Sequence, residues 1–157
     1  MLYAILAAGE GSRLAQEGCE VPKPLVRIQG ETLIGRLVRV FVDCGATRVV
    51  VIINALHAAT EDYLRSLSLT VPLDVVVQTT PSSMHSLYAI RDYLKVEEKF
   101  CVTTVDTIFS EQEFSTYVEV FGKSNLDGLM AVTSYVDDEK PLYVQTADDL
   151  TITNFCD

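Results

Sequence analysis

Residues 2–14 read LYAILAAGEGSRL. The apolar run Leu2–Ala7 predicts a buried β-strand, and it passes directly into the glycine-containing segment Gly9–Arg13. Glycine permits positive φ angles and a close approach of the backbone to a ligand. Successive N–H groups in such a loop can form a nest that binds an anion. This segment therefore predicts a strand that ends in an anion-binding loop.

Beyond this segment, short apolar runs alternate with helical patterns. Strands are predicted at Leu2–Ala7, Arg48–Ile53, Leu73–Gln78 and Phe100–Val105, helices at Thr32–Cys44, Thr60–Leu67, Ser83–Lys95 and Ser110–Phe121, and a loop at Gly9–Val21. Further strands are predicted at Leu129–Val136 and Leu142–Phe155, the last two joined near Ala147-Asp148-Asp149. Strands separated by helices imply parallel pairing, right-handed crossovers and helices on both faces. We therefore predict a three-layer α/β/α domain with a mainly parallel, Rossmann-like sheet. Ligands of such sheets bind beyond the carboxyl ends of the strands.

The composition excludes several classes of protein. The chain has 157 residues and a formal net charge of −10, so one domain is expected, and binding to nucleic acid or an anionic membrane surface is not. No apolar run approaches the roughly 20 residues of a membrane helix, and no basic region precedes the first strand, so a cytoplasmic location is predicted. The cysteines form no CxxC pair, which argues against a zinc site.

Three phosphate-binding patterns compete for the glycine loop. The GxxxxGK[ST] pattern is absent, and the dinucleotide pattern GxGxxG is incomplete because Leu14 stands where its third glycine belongs. The third interpretation combines Arg13 with Pro22-Lys23-Pro24, in which two prolines keep the backbone around the lysine extended. Loop N–H groups, a guanidinium and an ammonium together suit a triphosphate.

LAAGEGSRL at 6–14 followed by PKPLVRI at 22–28 resembles the sugar-nucleotide pyrophosphorylases, a family of nucleotidyltransferases. The resemblance implies a fold of the nucleotide-diphospho-sugar transferase type. It implies that Arg13 holds the departing pyrophosphate and that Lys23 stabilises charge at the α-phosphate. The nucleotide-binding residues implied in the first segment are Leu6, Ala7, Ala8, Gly9, Glu10, Gly11, Ser12 and Arg13.

Members of this family often carry a base-reading glutamine after the third strand, followed by Pro-x-Gly-Thr-Ala. This chain has Gln78 at that place, then Pro81-Ser82-Ser83 without the Gly-Thr-Ala. The resemblance gives Gln78 and Ser83 to the nucleotide, and either serine is also a good helix N-cap. A pyrimidine base is favoured, and CTP remains open because the serine-rich version is similar to choline-phosphate cytidylyltransferases.

Asp106 follows the apolar fourth strand, in Val105-Asp106-Thr107-Ile108-Phe109. A carboxylate at the end of a buried strand needs a partner, since burying a bare charge is costly. The family places a Mg²⁺-binding aspartate here, and Mg²⁺ prefers one or two carboxylates together with phosphate oxygens. The alternative is that Asp106 caps the next helix, but Ser110, in Ser110-x-x-Glu113, is the better cap.

The resemblance implies transfer of a nucleotidyl group from an NTP to a phosphorylated sugar or similar alcohol, with release of pyrophosphate. We expect residues 1–157 to form a single nucleotidyltransferase-like domain without the family's C-terminal acceptor-binding part. The alternatives are a non-catalytic nucleotide-binding or regulatory module and, on the incomplete glycine pattern alone, an NAD(P)-dependent oxidoreductase. The acceptor and the oligomeric state stay open.

Overall fold

The computed structural model describes residues 1–11, 14, 16, 18–95, 99–135 and 141–156. The chain divides into two compact units, Met1–Lys123 and Ser124–Asp157. The strands of the first unit are β1 (Leu2–Ala7), β2 (Arg27–Ile28), β3 (Glu31–Thr32), β4 (Arg48–Ile53), β5 (Leu73–Val77) and β6 (Phe100–Thr104). Its helices are α1 (Leu33–Asp43), α2 (Ala58–Ser66), α3 (Ser83–Ala89), α4 (Arg91–Leu94) and α5 (Glu111–Lys123), together with a 3-10 turn at Lys23–Leu25.

The main sheet of the first unit has four parallel strands in the order β5-β4-β1-β6. Every residue of β1 is buried, and β4 is buried from Val49 onward. Strands buried on both faces read as continuous apolar runs, which is why LYAILA and RVVVII form the two central strands. The predicted bounds of β1 and β4 are confirmed residue for residue.

Alternate residues of β1 supply two hydrophobic cores, one on each face of the sheet. Tyr3, Ile5 and Ala7 belong to the cluster that includes residues of α1, α2 and α5. Leu2, Ala4 and Leu6 belong to the cluster that includes Ile90 and Leu94. Successive strand side chains point to opposite faces, so helices cover the sheet on both sides. The predicted three-layer α/β/α architecture is confirmed.

An aromatic cluster on the α1 face anchors the segment that follows β6. The Tyr3 and Phe41 ring centroids lie 4.7 Å apart, and the Phe109 and Phe114 rings stack at 4.4 Å. Arg36 of α1 donates from Nη2 to the Phe109 carbonyl at 2.6 Å. These contacts fix the chain just beyond Asp106, so they also fix the loop that carries this carboxylate.

Three predicted helical boundaries or loops are wrong in detail. The helix predicted at 83–95 divides at Ile90, whose fully buried side chain anchors a backbone with φ −98° and ψ 5°. Gly122, predicted to end the helix after Ser110, lies inside α5, because its φ is not positive and the helix continues through it. Leu14 and Gln16 are helical, whereas the sequence predicts a loop over 9–21; leucine and glutamine are both good helix formers.

The second unit, Ser124–Asp157, contains the antiparallel hairpin β7 (Tyr143–Thr146) and β8 (Ile152–Cys156). The run predicted at Leu142–Phe155 forms these two strands, and the junction predicted near Ala147-Asp148-Asp149 is confirmed as the turn between them, closed by a hydrogen bond from the Leu150 N–H to the Ala147 carbonyl. The strand predicted at Leu129–Val136 is wrong over 129–135, and Val136 lies outside the described residues. Its apolar side chains Met130, Val132 and Tyr135 are exposed, and a strand without a neighbouring ladder leaves its backbone groups unpaired.

A side chain at Gly35 is expected to destabilise the protein, because helix α1 passes close to Tyr63 of α2 at this position. A Cβ at Gly35 would lie 2.2 Å from Tyr63 Oη and 2.6 Å from Thr32 Oγ1, the hydroxyl that caps α1. We expect Gly35→Ala to lower the free energy of unfolding by about 1–3 kcal/mol, the usual cost of overpacking. The measurement is chemical denaturation.

Gly122→Ala is the matched control, since it is the same substitution within a helix. A Cβ there meets nothing within 4 Å, and alanine has the higher helix propensity by about 0.8–1.0 kcal/mol. We expect the control to be neutral or stabilising. If both variants changed stability in the same direction, the close contact between Gly35 and Tyr63 would be contradicted.

Candidate nucleotide site

The carboxyl ends of the parallel strands gather the loops that the sequence singled out. A cavity of about 410 Å³ opens there. It is lined by Leu6, Ala8, Gly9, Glu10, Thr80, Pro81, Ser82, Ser83 and Ser86. We call Leu6, Ala8, Gly9 and Glu10 the glycine wall, and Thr80–Ser83 with Ser86 the serine wall. The glycine wall comes from the end of β1 and the segment after it, and the serine wall comes from the segment after β5 and the start of α3. Strand β4 lies between β1 and β5 in the sheet.

Lys23 and Asp106 form an ion pair at this edge although 83 residues separate them in sequence. Lys23 Nζ lies 2.5 Å from Asp106 Oδ2, and the two side chains are 31% and 48% exposed. Burial raises the pKa of the Asp106 carboxyl, but hydrogen bonds from Lys23 and Thr104 outweigh it, and the net pKa is below the ordinary value. The carboxylate is therefore ionised at neutral pH.

Gly11 places the glycine loop against Lys23. Its φ is +66°, a conformation that favours glycine. A Cβ added there would lie 3.3 Å from Lys23 Cβ. On the other side, Lys23 opens a 3-10 turn that follows Pro22 and contains the buried Pro24. The loop, the lysine and Asp106 are thus one continuous group of neighbours.

The other residues singled out from the sequence have different positions. Ser12 and Arg13 lie outside the described residues. Ala7 is the last residue of β1 and is buried. Ser83 lies in the serine wall. Gln78 is exposed at the end of β5, where its N–H donates to the Ile53 carbonyl at 2.9 Å, and it is not among the cavity-lining residues.

Ser82 is the N-cap of α3. Its hydroxyl accepts from the His85 N–H at 3.4 Å and lies 2.8 Å from His85 Nδ1. The hydroxyls of Thr80 and Ser86 lie 2.6 Å apart. Hydroxyl groups both donate and accept hydrogen bonds. The serine wall therefore offers polar groups of either kind to an occupant of the cavity.

Sequence reasoning missed Asn54, which is 1% exposed at the end of β4. Its side chain donates to the Ala8 carbonyl at 3.0 Å and accepts from the Thr79 hydroxyl at 2.9 Å. The available signal was a lone carboxamide that closes the most β-branched run of the chain. A buried amide needs several partners, and at a strand's carboxyl end these partners come from the neighbouring loops.

Asp106 suits a magnesium ion as one protein ligand. It is ionised and half-exposed, and its partner Lys23 lies against Gly11 of the glycine loop. Within the described part of the chain, no group of three or more His, Cys, Asp or Glu side chains could hold a metal on its own. Mg²⁺ typically takes one or two carboxylates and completes its octahedron with substrate phosphates and water, so a single carboxylate here fits an ion that arrives with a nucleotide.

The sequence model of the MobA-like NTP transferase domain matches residues 3–149. The chain belongs to this family. Among curated proteins, this NTP transferase domain is 27% identical over 107 residues to the bifunctional IPC transferase and DIPP synthase of Thermococcus kodakarensis. That match covers 68% of the chain and 23% of the relative.

Solved structures similar to this NTP transferase domain share its fold. HddC from Yersinia pseudotuberculosis aligns with a TM-score of 0.72 at 21% identity, over 98% of this chain and 68% of HddC. The inositol-1-phosphate CTP transferase from T. maritima aligns with a TM-score of 0.59 at 19% identity, over 94% of this chain and 54% of that one. The chain thus spans about two thirds of HddC and less of the other relatives, with 54% of the CTP transferase and 23% of the curated relative covered. Among its described residues no helix is long and apolar enough to cross a membrane.

Proposed function

We propose that this protein transfers a nucleotidyl group from an NTP to a phosphorylated sugar or similar phosphorylated alcohol and releases pyrophosphate. The observation that carries the proposal is the meeting of Lys23 and Asp106, 2.5 Å apart, against the glycine loop. A family of NTP transferases matches the chain, and one curated relative is named an IPC transferase and DIPP synthase.

The acceptor's phosphate attacks the α-phosphorus of the NTP, and the bond from that phosphorus to the bridging oxygen of pyrophosphate breaks. No covalent enzyme intermediate is needed, so the rate comes from alignment and charge stabilisation. Lys23 supplies a positive charge next to the glycine loop, where the α-phosphate would lie. Loop N–H groups at Gly9 and Gly11 would hold phosphate oxygens, and Arg13, proposed from the sequence, would grip the pyrophosphate.

Asp106 is the proposed ligand for Mg²⁺. When bound, Mg²⁺ neutralises phosphate charge and orients the oxygens for displacement. In the structure Asp106 pairs with Lys23 instead. The ion pair therefore keeps both side chains in the candidate site. When an NTP–Mg²⁺ complex binds, Lys23 would contact the phosphate and Asp106 would contact the metal ion in place of each other.

A pyrimidine nucleotide is the proposed donor. Gln78 after β5 offers a carboxamide able to pair with a pyrimidine edge, and the serine wall adds hydroxyls within the cavity. Similar structures include an inositol-1-phosphate CTP transferase and a UTP-bound UGPase, whereas HddC is known in complex with GMP-PN. The base is therefore a point to be measured.

An NTP with Mg²⁺ is expected to stabilise the protein against heat. A ligand that binds only the folded state at 100 times its dissociation constant adds about 2.7 kcal/mol. The measurement is a thermal shift with ATP, GTP, CTP, UTP and dTTP, each with and without Mg²⁺. Pyrimidine nucleotides should give the largest shifts. A purine preference would contradict the base, and no shift with any NTP would contradict nucleotide binding itself.

The second candidate is a nucleotide-binding or regulatory module without turnover. Both candidates predict the thermal shift, so pyrophosphate release separates them. Release in the presence of a panel of sugar and polyol phosphates supports the enzyme, and binding without release supports the module.

A further inference from the structure

Asn54 is hydrogen-bonded to the loops that form both walls of the cavity. Its Nδ2 group donates to the Ala8 carbonyl at 3.0 Å, and Ala8 belongs to the glycine wall. Its Oδ1 atom accepts from the Leu56 N–H at 2.9 Å and from the Thr79 hydroxyl at 2.9 Å. Thr79 directly precedes the serine wall. The buried carboxamide thus connects, by hydrogen bonds, the segments that follow β1, β4 and β5.

The bond to Ala8 determines which way the next N–H points. The Ala8–Gly9 peptide is trans, and in a trans peptide the C=O and the following N–H are directed oppositely. Asn54 is not among the cavity-lining residues, whereas Ala8 and Gly9 both are. Because Asn54 holds the carbonyl on its own side, the Gly9 N–H is directed away from Asn54. This N–H has no acceptor among the described residues.

We propose that Asn54 is a positioning residue that aims the Gly9 N–H at a phosphate oxygen of the nucleotide. This inference rests on the proposed function. Gly9 lacks a Cβ, so its backbone has the freedom to rotate. Rotation of the Ala8–Gly9 peptide would present a carbonyl oxygen to the anion in place of a donor. Asn54 opposes this rotation because its Nδ2 group keeps the Ala8 carbonyl hydrogen-bonded and directed away from the cavity.

Thr79 connects the Asn54 carboxamide to the segment that leads into the serine wall. Its hydroxyl donates to Asn54 Oδ1 and accepts from the Ala55 N–H at 3.3 Å. The carboxamide plane is therefore fixed from the side of β5 while it holds the Ala8 carbonyl. The orientation of the Gly9 N–H then depends on the segment that leads into the serine wall.

The test is an NMR titration of the full chain labelled with ¹⁵N-glycine. The chain has 8 glycines, so its spectrum contains few signals. Gly9→Ala identifies the Gly9 signal, since a Cβ there meets nothing within 4 Å. The titrant is Mg²⁺ with whichever of ATP, GTP, CTP, UTP and dTTP binds tightest. In the unaltered protein the Gly9 amide should move on binding.

Asn54→Asp replaces the Nδ2 donor with an oxygen that repels the Ala8 carbonyl. We expect binding to weaken by at least about tenfold, consistent with the loss of a buried hydrogen bond, and the Gly9 amide to stop responding at saturation. Asn125→Asp, the same change at an exposed position, should behave like the parent. A Gly9 amide that responds in Asn54→Asp as in the parent overturns the proposal.

Thr79→Val and Thr79→Ser keep the test decisive if Asn54→Asp does not fold, because Thr79 is exposed. Valine removes the hydroxyl, and we expect about three- to tenfold weaker binding with a smaller Gly9 response; serine should restore both. Equal behaviour of all three residues at this position overturns the proposal. A parent in which no glycine amide responds to any NTP overturns the proposed function as well, which separates the two failures.

Discussion

Replacing Lys23 with alanine is expected to lower turnover by at least about 10²-fold, comparable to losing one preorganised donor at a reacting centre. Negative charge builds on the α-phosphate as the acceptor attacks, and Lys23 is the ammonium placed against the glycine loop. NTP binding should weaken less, because the loop N–H groups remain. Pyrophosphate release at varied NTP concentration measures both quantities.

Lys95→Ala is the matched control for this variant. It also removes a lysine from an ion pair, since Lys95 Nζ lies 3.0 Å from Asp92 Oδ1 on the surface. Exposed pairs of this kind contribute about 0–1 kcal/mol, so turnover should stay at the parent level. A Lys23→Ala variant that loses NTP affinity as strongly as turnover would assign Lys23 to substrate binding alone and contradict its role in the transition state.

The central sheet could be predicted because its signal is local. LYAILA and residues 49–53 of RVVVII are continuous apolar runs, and their short length, with the β-branched residues of the second run, favours strands buried on both faces. The run at 129–135 is also partly apolar, but from Met130 onward its side chains are exposed, and within the described residues no strand pairs with it. Strand formation requires a partner as well as a pattern, and the sequence does not identify the partner.

The approach of Lys23 to Asp106 followed from topology, because parallel strands deliver their carboxyl ends to one edge. The pairing itself could not be read from the sequence, which indicates a metal for one residue and a phosphate for the other. Asn54 was missed for a related reason. Its acceptor is the backbone carbonyl of Ala8, 46 residues away, and a carbonyl has no identity in the sequence. Only the folded chain shows which amide reaches it.

Asp106→Asn is expected to lower turnover at low Mg²⁺ and to recover partly as Mg²⁺ is raised. The substitution keeps the size of the side chain and one oxygen, which still accepts from Lys23, but it removes the charge that would attract the metal. A weakened metal site fills at higher metal concentration, so the defect shrinks along a Mg²⁺ series. Lys23→Ala should show no such recovery, because additional metal does not replace an ammonium at the α-phosphate.

Asp74→Asn provides the control for the metal series. Asp74 is also paired with a cation, since Arg48 Nε lies 2.5 Å from Asp74 Oδ2, but both residues lie at the amino ends of β4 and β5. Loss of the Asp74 carboxylate leaves the residues at the carboxyl ends of the strands unchanged. The Mg²⁺ dependence of turnover should therefore equal that of the parent. If Asp106→Asn also followed the parent curve, Asp106 would not be a metal ligand. Its position beside Lys23 would then serve only to hold the lysine, and the metal would have to be bound through the nucleotide alone.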